Sequence, residues 1–324
     1  MSLASATLPA ASDSISEINT VSDLNLDCCV AKPAVLNHRC PACPRFCGFA
    51  SAKGESVALY HLILLAIVQG ITEFLPISSS GHLVITSRLL GLPDQGLILD
   101  IAVHVGTLFA VTIYFWRDIW DMAGGILRLA TSRYTPGAAL AGNVLIASLP
   151  VVVVGFLAHD IVAEALRSVA VIAWATIGFG ILLWLADRLG MTFRRIEHLR
   201  WGSAAFIGIA QCLALIPGTS RSGITMTAAR MLSFERPEAA RFSMLLSIPT
   251  IAGAGVLAGY DIYKLGNVRL GYDAALAAGI SFLVALLAIA LLMRWLQRAS
   301  FTPFAVYRVL LGLFLLYLDA HGWV

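Results

Sequence analysis

The chain has 324 residues, of which 59% are hydrophobic and only 13% are charged, and its formal net charge is +3. This composition excludes an ordinary water-soluble domain, in which about 25% of residues are charged. The small net charge gives no support to nucleic-acid binding, and in a membrane protein the placement of Lys and Arg matters more than their sum.

Residues 1–56 are rich in Ser and Ala and contain no apolar run typical of a signal peptide. We expect this extension to be disordered, or to reflect a mis-assigned start, because a start near Val57 would directly precede the membrane-type sequence of a domain spanning 57–324. One histidine and three cysteines in it have a spacing that suggests a zinc knuckle: His38, Cys40, Cys43 and Cys47. The second half of a four-ligand pattern is missing, which disfavours a metal site there.

Apolar runs recur from Leu59 onward, and many are long enough to cross a hydrocarbon core of about 30 Å as helices. They are continuously apolar rather than alternating, which favours helices over a membrane β-barrel. We place them at residues 59–75, 82–92, 100–117, 142–159, 168–187, 201–217, 221–233, 239–259, 273–294 and 303–320. The sequence therefore predicts an all-α polytopic membrane protein with about six full transmembrane helices.

The first two runs are joined by a polar break at residues 76–81. Non-helical backbone at membrane depth is tolerated only where it is buried in protein or lines a watery cavity. We therefore predict a re-entrant helix-loop-helix pair whose break faces such a cavity.

Two polar residues precede this break and one follows it. Gln69 and Glu73 are four residues apart, so on a helix they share one face. A carboxylate in a membrane segment costs roughly 2.5–3.5 kcal/mol on insertion scales, so Glu73 is functional or paired. A structural pair of Glu73 with Arg221 or His82 is the alternative. The His82 imidazole itself suits general acid or base work.

Three serines, Ser78, Ser79 and Ser80, stand at the start of the helix that follows the break. Helix N-termini bind phosphate through free N–H groups and the helix dipole, and hydroxyls add further donors. Taken alone, the serines are equally well explained as caps and turn formers.

The sixth and seventh runs are joined by a second polar break, residues 217–223, which contains Arg221. A guanidinium binds phosphate oxygens in bidentate fashion and neutralises charge on a transferred phosphoryl group. An arginine that snorkels from a helix end is the alternative. The hydroxyl residues around it are Thr219, Ser220 and Ser222.

The two breaks resemble each other. The spacing from Gln69 to Gly81 equals that from Gln211 to Gly223, and the serines of the two breaks are in register. Interrupted segments in both halves of a membrane protein are typical of inverted-topology repeats with a site at the midplane. We therefore predict one cavity lined by both breaks.

The distribution of basic residues predicts the orientation. If each broken pair returns to the side it left, one face carries Arg117, Arg128, Arg133, Arg188, Arg194, Arg195, Arg200, Arg236, Arg241, Arg294 and Arg298. The other face carries mainly Arg167, Lys264 and Arg269. The positive-inside rule then places the Arg-rich face in the cytoplasm and both termini in the periplasm.

Other polar residues are weaker candidates. His104 and Asp100 share a helix face, which a position at the membrane interface also explains. The remaining ones lie near segment ends, where charge costs little: Asn143, Asp187, Arg230, Glu235 and Glu238.

In combination, Gln69-Gly-Ile-Thr-Glu73, Ser78-Ser-Ser-Gly-His82 and Pro217-Gly-Thr-Ser-Arg221-Ser-Gly223 resemble the undecaprenyl-diphosphate phosphatase family, also called bacitracin-resistance proteins. The resemblance covers the chain after about Val57. It implies hydrolysis of undecaprenyl diphosphate to undecaprenyl phosphate, the carrier lipid of peptidoglycan synthesis, in the bacterial inner membrane. It also implies bacitracin resistance and a divalent metal, Mg²⁺ or Ca²⁺.

The resemblance also implies roles, residue by residue. The family's paired acidic positions fall on Gln69 and Glu73, which become the predicted metal ligands, although glutamine carries no charge and disfavours a mechanism with two carboxylates. The predicted catalytic residues are Glu73, His82, Ser79 and Arg221. The predicted substrate-binding residues are Gln69, Ser78, Ser80, Thr219, Ser220 and Ser222. Either a serine or an activated water attacks the phosphorus, and the residues present suit both.

A lipid-carrier or small-anion transporter is the alternative function, because inverted repeats with broken helices are also typical of transporters. A combined flipping and hydrolysing role is compatible with the same residues. The sequence leaves the oligomeric state open, with a homodimer as one candidate.

Overall fold

The computed structural model describes residues 59–79, 81–83, 86, 97–157, 168–265 and 268–321. All of them belong to one compact unit, Ser56–Val324. The N-terminal extension with its zinc-knuckle spacing, Ser80, and most of the run 82–92 lie outside the described residues.

The described secondary structure is helical, apart from one isolated bridge between Arg194 and Phe234. Two short 3₁₀ helices, Ile196–His198 and Cys212–Leu215, accompany the α-helices. The α-helices are α1 Leu59–Thr72, α2 Leu97–Tyr114, α3 Trp116–Leu129, α4 Pro136–Leu157, α5 Val169–Leu189, α6 Trp201–Gln211, α7 Arg221–Met231, α8 Arg236–Leu265, α9 Val268–Leu296 and α10 Thr302–Ala320. The predicted all-α class is confirmed.

Among the described residues, four helices are long and apolar enough to span a membrane: α4, α5, α10 and the Gly271–Leu296 part of α9. The bent pair of α2 and α3 raises the number to five if it counts as one span. These spans make the chain a polytopic membrane protein. The prediction of about six full spans stays a prediction, because the four or five spans were found among the described residues alone.

Helix α3 is a feature that the analysis of apolar runs missed. The run 100–117 was predicted as one segment, whereas α2 ends at Tyr114 and the chain turns by 80° into α3. Phe115 is buried at the bend, while Trp116 and Trp120 are exposed. Charged residues alternate with these apolar ones, so α3 is amphipathic and escapes a search for continuous hydrophobicity.

The helices pack in a pattern that relates the two halves of the chain. Helix α1 packs on α9 and α6 packs on α4, while α2 runs along α9 and α5 along α10. Close approach needs glycine: a β-carbon at Gly70 would lie 2.9 Å from the Ser281 carbonyl oxygen, and one at Gly208 would lie 2.6 Å from that of Ala147. Helix α7, after the second break, lies against α5, α6 and α8.

The prediction that Asp187 and Arg230 occupy sites where charge costs little is wrong. Both side chains are fully buried, and Arg230 Nε donates to Asp187 Oδ1 at 3.0 Å. Arg236 Nε donates to the same oxygen at 2.8 Å, and the backbone N–H of Phe301 donates to Asp187 Oδ2 at 3.1 Å. The Arg230 guanidinium also donates to the carbonyls of Asp187, Gly190, Met191 and Phe234. This cluster ties α5 and α7 to the starts of α8 and α10.

Asn143 and Glu238 also make structural contacts in this region. The buried Asn143 amide donates to the Leu199 carbonyl at 3.2 Å. Glu238 accepts from the Ile196 backbone N–H and from Arg241. Neither residue contacts the two breaks through these bonds, so both remain outside the candidate site.

Candidate active site

The first break follows the end of α1 at Thr72. Residues 73–77 form turns around Pro76, and the described residues after Ser78 are again helical. Ser78 has a φ of 73°, a left-handed conformation that is rare outside glycine. Its hydroxyl accepts a hydrogen bond from the Gly81 N–H at 3.4 Å. Ser78 therefore caps the returning helix.

The second break has the same local geometry. Ser220 has a φ of 69° and caps α7, where its hydroxyl accepts from the Gly223 N–H at 3.2 Å. Gly218, with a φ of 94°, supplies the tight turn before it, and an added β-carbon would collide with the Ile172 carbonyl. For Ser78 the interpretation as a helix cap is thus confirmed, and Ser220 makes the same kind of cap in the second break.

The two breaks meet, as the sequence predicted. Arg221 Nη2 donates to Glu73 Oε1 at 3.0 Å, and the Ser222 hydroxyl donates to the Leu75 carbonyl at 3.0 Å. The Arg221 side chain is 18% exposed and also donates to the Ser243 carbonyl, so it does not snorkel from a helix end. The first bond joins two side chains and the second joins a side chain to a backbone carbonyl. Each of them connects residues almost 150 positions apart in the chain.

Glu73 is the centre of the polar contacts. Its Oε2 accepts from Gln69 Nε2 at 2.8 Å and from the Ser79 hydroxyl at 3.3 Å. The predicted face shared by Gln69 and Glu73 is confirmed. Gln69 Oε1 is buried and has no hydrogen-bond partner among the described residues. An oxygen acceptor is therefore available directly beside a carboxylate.

His104, ranked as a weaker candidate, lies in the site. Its Nδ1 donates to the Asp100 carbonyl at 2.6 Å, which leaves Nε2 3.6 Å from Glu73 Oε2. The sequence carried a usable signal, since His104 is an ionisable residue within an apolar run, as Glu73 is. His104 was not placed in the site because the helix that faces α1 could not be identified from spacing.

His82 has different partners from Glu73. Its Nδ1 lies 2.7 Å from the Ser78 carbonyl and its Nε2 lies 2.6 Å from the Tyr307 hydroxyl. The alternative of a Glu73–His82 ion pair finds no contact within the described residues, where the carboxylate pairs with Arg221 and His104. His82 therefore stands beside the first break rather than on the carboxylate.

Arg308 in α10 is a site residue that the sequence analysis missed. Its side chain is fully buried and donates to the carbonyls of Thr176, Gly218 and Thr219 at 3.2, 3.0 and 2.7 Å. Its Nη1 has no hydrogen-bond partner in the described part of the chain, and neither has the Thr219 hydroxyl. An arginine inside an apolar helix was the available signal, but the run 303–320 was read only as a membrane span.

The assembled groups favour an anion with several oxygens. Two guanidinium groups, Arg221 and Arg308, flank the N-terminus of α7, and one carboxylate, Glu73, partly balances them. The serine hydroxyls and the helix N-terminus add neutral donors. A phosphate group matches this combination of donors and positive charge.

Comparison with known proteins identifies the family. Residues 62–314 match the family described as "Bacitracin resistance protein BacA". The chain belongs to this family. The match contains both breaks and α10, so the family resemblance drawn from the motifs is confirmed.

Members of the family with curated names are similar along most of the chain. An undecaprenyl-diphosphatase of Ruegeria pomeroyi is 50% identical over 262 residues, which are 80% of this chain and 98% of the relative. One of Roseobacter denitrificans is 52% identical over 262 residues with the same coverage. The undecaprenyl-diphosphatase 1 of Rhodospirillum rubrum is 51% identical over 271 residues, 82% of this chain and 96% of the relative.

Proposed function

We propose that this chain is a membrane-embedded phosphatase that hydrolyses undecaprenyl diphosphate to undecaprenyl phosphate and inorganic phosphate. The relatives at about 50% identity are named for this activity, and the family's name connects it with bacitracin resistance. One structural observation carries the proposal: Glu73 and Arg221 meet across the two breaks at 3.0 Å, beside a helix N-terminus. The product is the carrier lipid of peptidoglycan synthesis, so the enzyme recycles that lipid.

The site residues have the following proposed roles. Arg221 and the N-terminus of α7 hold the terminal phosphate and neutralise the charge that develops on it. Glu73 accepts a proton from the attacking group, because the Ser79 hydroxyl already donates to its Oε2 at 3.3 Å. His82 supplies or removes the second proton. The attack breaks the anhydride P–O bond and leaves undecaprenyl phosphate.

The attacking group is either the Ser79 oxygen or a water molecule in its place. Both routes use Glu73 as base and Arg221 as phosphate ligand. A serine route passes through a phosphoserine that water then hydrolyses, whereas a water route gives inorganic phosphate in one step. Rapid quenching of a single turnover distinguishes them, since only the serine route yields labelled protein.

We propose that a divalent ion, Mg²⁺ or Ca²⁺, binds at Gln69 Oε1 and Glu73. The unpartnered amide oxygen and the adjacent carboxylate are hard oxygen donors that suit either ion. Within the described residues no group of three or more His, Cys, Asp and Glu side chains forms a complete metal cage. A bound ion would supply charge neutralisation at the phosphate oxygens, which in turn would complete its coordination.

We also propose an inverted-topology repeat with its site at the midplane. The matched caps at Ser78 and Ser220 and the equivalent packing of α1 on α9 and α6 on α4 support it. Arg188 near the end of α5 and Arg236 at the start of α8 support a cytoplasmic location for that face, with both termini in the periplasm. A homodimer stays a prediction.

The first test measures phosphate release from a C55-prenyl diphosphate by purified protein in detergent, with and without EDTA. We expect metal-dependent release that Glu73→Gln and Arg221→Ala both lower by about 10²-fold or more. Glu235→Gln and Arg195→Ala are matched controls, because this exposed ion pair lies on the surface at 3.3 Å. EDTA-resistant release would overturn the metal proposal and leave the phosphatase standing.

The alternative function is a carrier of lipid or of a small anion, which the broken helices favour. Detergent removes any gradient between two compartments, so a pure carrier releases no phosphate there. Folded protein that fails to release phosphate under every ionic condition would favour the carrier.

A further inference from the structure

Two adjacent residues of α10 contact the two breaks separately. Arg308 donates to the Gly218 and Thr219 carbonyls of the second break. Tyr307 meets His82, just after the first break, with its hydroxyl 2.6 Å from His82 Nε2. These contacts join residues 89 to 225 positions apart, so α10 links the two halves of the site.

The contacts of His82 select one tautomer and one ring orientation. A carbonyl only accepts, so the Nδ1 that lies 2.7 Å from the Ser78 carbonyl carries the ring proton. In the neutral imidazole Nε2 is then the acceptor, and the Tyr307 hydroxyl donates to it. The two rings are stacked, with centroids 5.6 Å apart and planes 6° from parallel.

The position of the pair argues against a purely structural purpose. Tyr307 is 41% exposed, and a hydrogen bond between partly exposed groups contributes only about 1 kcal/mol to stability. Arg308, by contrast, is fully buried and fixes α10 through three carbonyls. The Tyr307 hydroxyl is therefore held at a fixed place, where its main effect is on the imidazole.

We propose that Tyr307 is a positioning residue for His82: its hydroxyl holds Nε2 as an acceptor at the first break until the substrate takes its place. The inference rests on the proposed acid or base role of His82. The substrate oxygen that exchanges a proton with Nε2 displaces the hydroxyl, while the Ser78 carbonyl keeps the tautomer. No bond is formed or broken at Tyr307.

Tyr307→Phe removes the hydroxyl and keeps the stacked ring. We expect kcat to fall roughly tenfold while KM stays within about twofold, because orientation and not substrate binding is lost. Tyr317→Phe is the matched control, since this α10 tyrosine is 58% exposed and packs against His321 with ring centroids 4.2 Å apart. Its kcat should equal that of the unaltered protein.

A double-mutant cycle tests whether Tyr307 acts through His82. Release of labelled phosphate is followed in His82→Ala with and without Tyr307→Phe, and we expect the second substitution to add nothing. Losses that multiply in the double variant, an unchanged kcat in Tyr307→Phe, or a lowered Tm in that variant would each overturn the inference. Full activity of His82→Ala would overturn both the role of His82 and the positioning by Tyr307. A loss in His82→Ala with an unaffected Tyr307→Phe overturns the positioning alone.

Discussion

Two of the carboxylate–guanidinium pairs among the described residues, Asp187–Arg230 and Glu73–Arg221, differ in how completely hydrogen bonds satisfy their polar atoms. Asp187 and Arg230 are both fully buried, and each Asp187 oxygen and each Arg230 nitrogen has a partner. Glu73 and Arg221 share one bond of 3.0 Å, and Arg221 keeps 18% of its side chain exposed. The two pairs thus contain the same chemical groups in two different states.

Among the described residues, three unpartnered polar atoms lie close to the second of these pairs. Gln69 Oε1 lies beside Glu73, and the Thr219 hydroxyl and Arg308 Nη1 lie beside the N-terminus of α7. A buried charge costs several kcal/mol unless hydrogen bonds compensate it, so a saturated pair serves the fold. Free donors and acceptors around a partly open pair are suited to a charged ligand. Saturation is therefore the property that distinguishes the structural pair from the pair proposed to bind the phosphate.

The largest expected effect breaks the saturated pair. Arg230→Ala removes the guanidinium and leaves the Asp187 carboxylate with Arg236 and one backbone N–H, so we expect a loss of about 3–5 kcal/mol in stability. The Tm in detergent measures it. Arg236→Ala is the matched control, because Arg236 is partly exposed and donates through Nε to Asp187 Oδ1. Equal Tm values for the two variants would contradict the comparison.

Breaking the open pair, Glu73–Arg221, should change a free energy by a similar amount, but the free energy is the activation barrier of the reaction and not the stability of the fold. Arg221→Ala should lower kcat by about 10²–10³-fold, the usual effect of removing a group that stabilises transition-state charge. Its Tm should fall much less than that of Arg230→Ala, because Glu73 keeps the donors Gln69 and Ser79. If the Tm of Arg221→Ala falls as far as that of Arg230→Ala, Glu73–Arg221 is a structural pair as well.

A smaller effect is expected at His104. His104→Gln removes an imidazole that lies 3.6 Å from the Glu73 carboxylate, and we expect kcat to fall roughly tenfold without a change in Tm. His321→Gln is the matched control: its Nδ1 also bonds a carbonyl four residues earlier, but on the exposed end of α10. Equal activities of the two variants would return His104 to a structural role.

The smallest effect is expected at the surface. Arg195 and Glu235 form an ion pair at 3.3 Å with the arginine side chain 63% exposed. Removing either partner should change stability by only about 0.5 kcal/mol, since solvent and salt screen such pairs. A denaturation series at two salt concentrations measures this change. A loss of stability comparable to that of Arg230→Ala would show that the exposure of a pair does not predict its contribution to stability.

Much of the site was predictable because its signals are local. The helix spacing of Gln69 and Glu73, the serines before Gly81, and Arg221 within a second break are each visible in a few residues. Polar and charged side chains inside a membrane segment cost free energy, and that cost made these residues candidates for function. Their meeting across the breaks was predicted from the similar spacing of the two segments.

The remaining site residues depend on contacts between distant helices. His104 was ranked as a weaker candidate because the sequence does not say which face of α2 meets α1. Tyr307 and Arg308 were missed because they lie in a helix that is otherwise mostly apolar. Their partners lie far away in sequence, just after the first break, in α5 and in the second break. The bend into α3 was missed because amphipathic helices are not continuous apolar runs.

The sequence by itself determined the membrane class, the two breaks and the residue types of the candidate phosphate site, because the cost of polar groups in lipid is local. Only the tertiary structure decided which charged pair is saturated and which is open. Asp187 and Glu73 are both acidic residues in apolar surroundings, and the number of donors around each depends on helix packing. Burial and hydrogen bonding arise from residues far apart in the chain, and a one-dimensional pattern does not contain their distances.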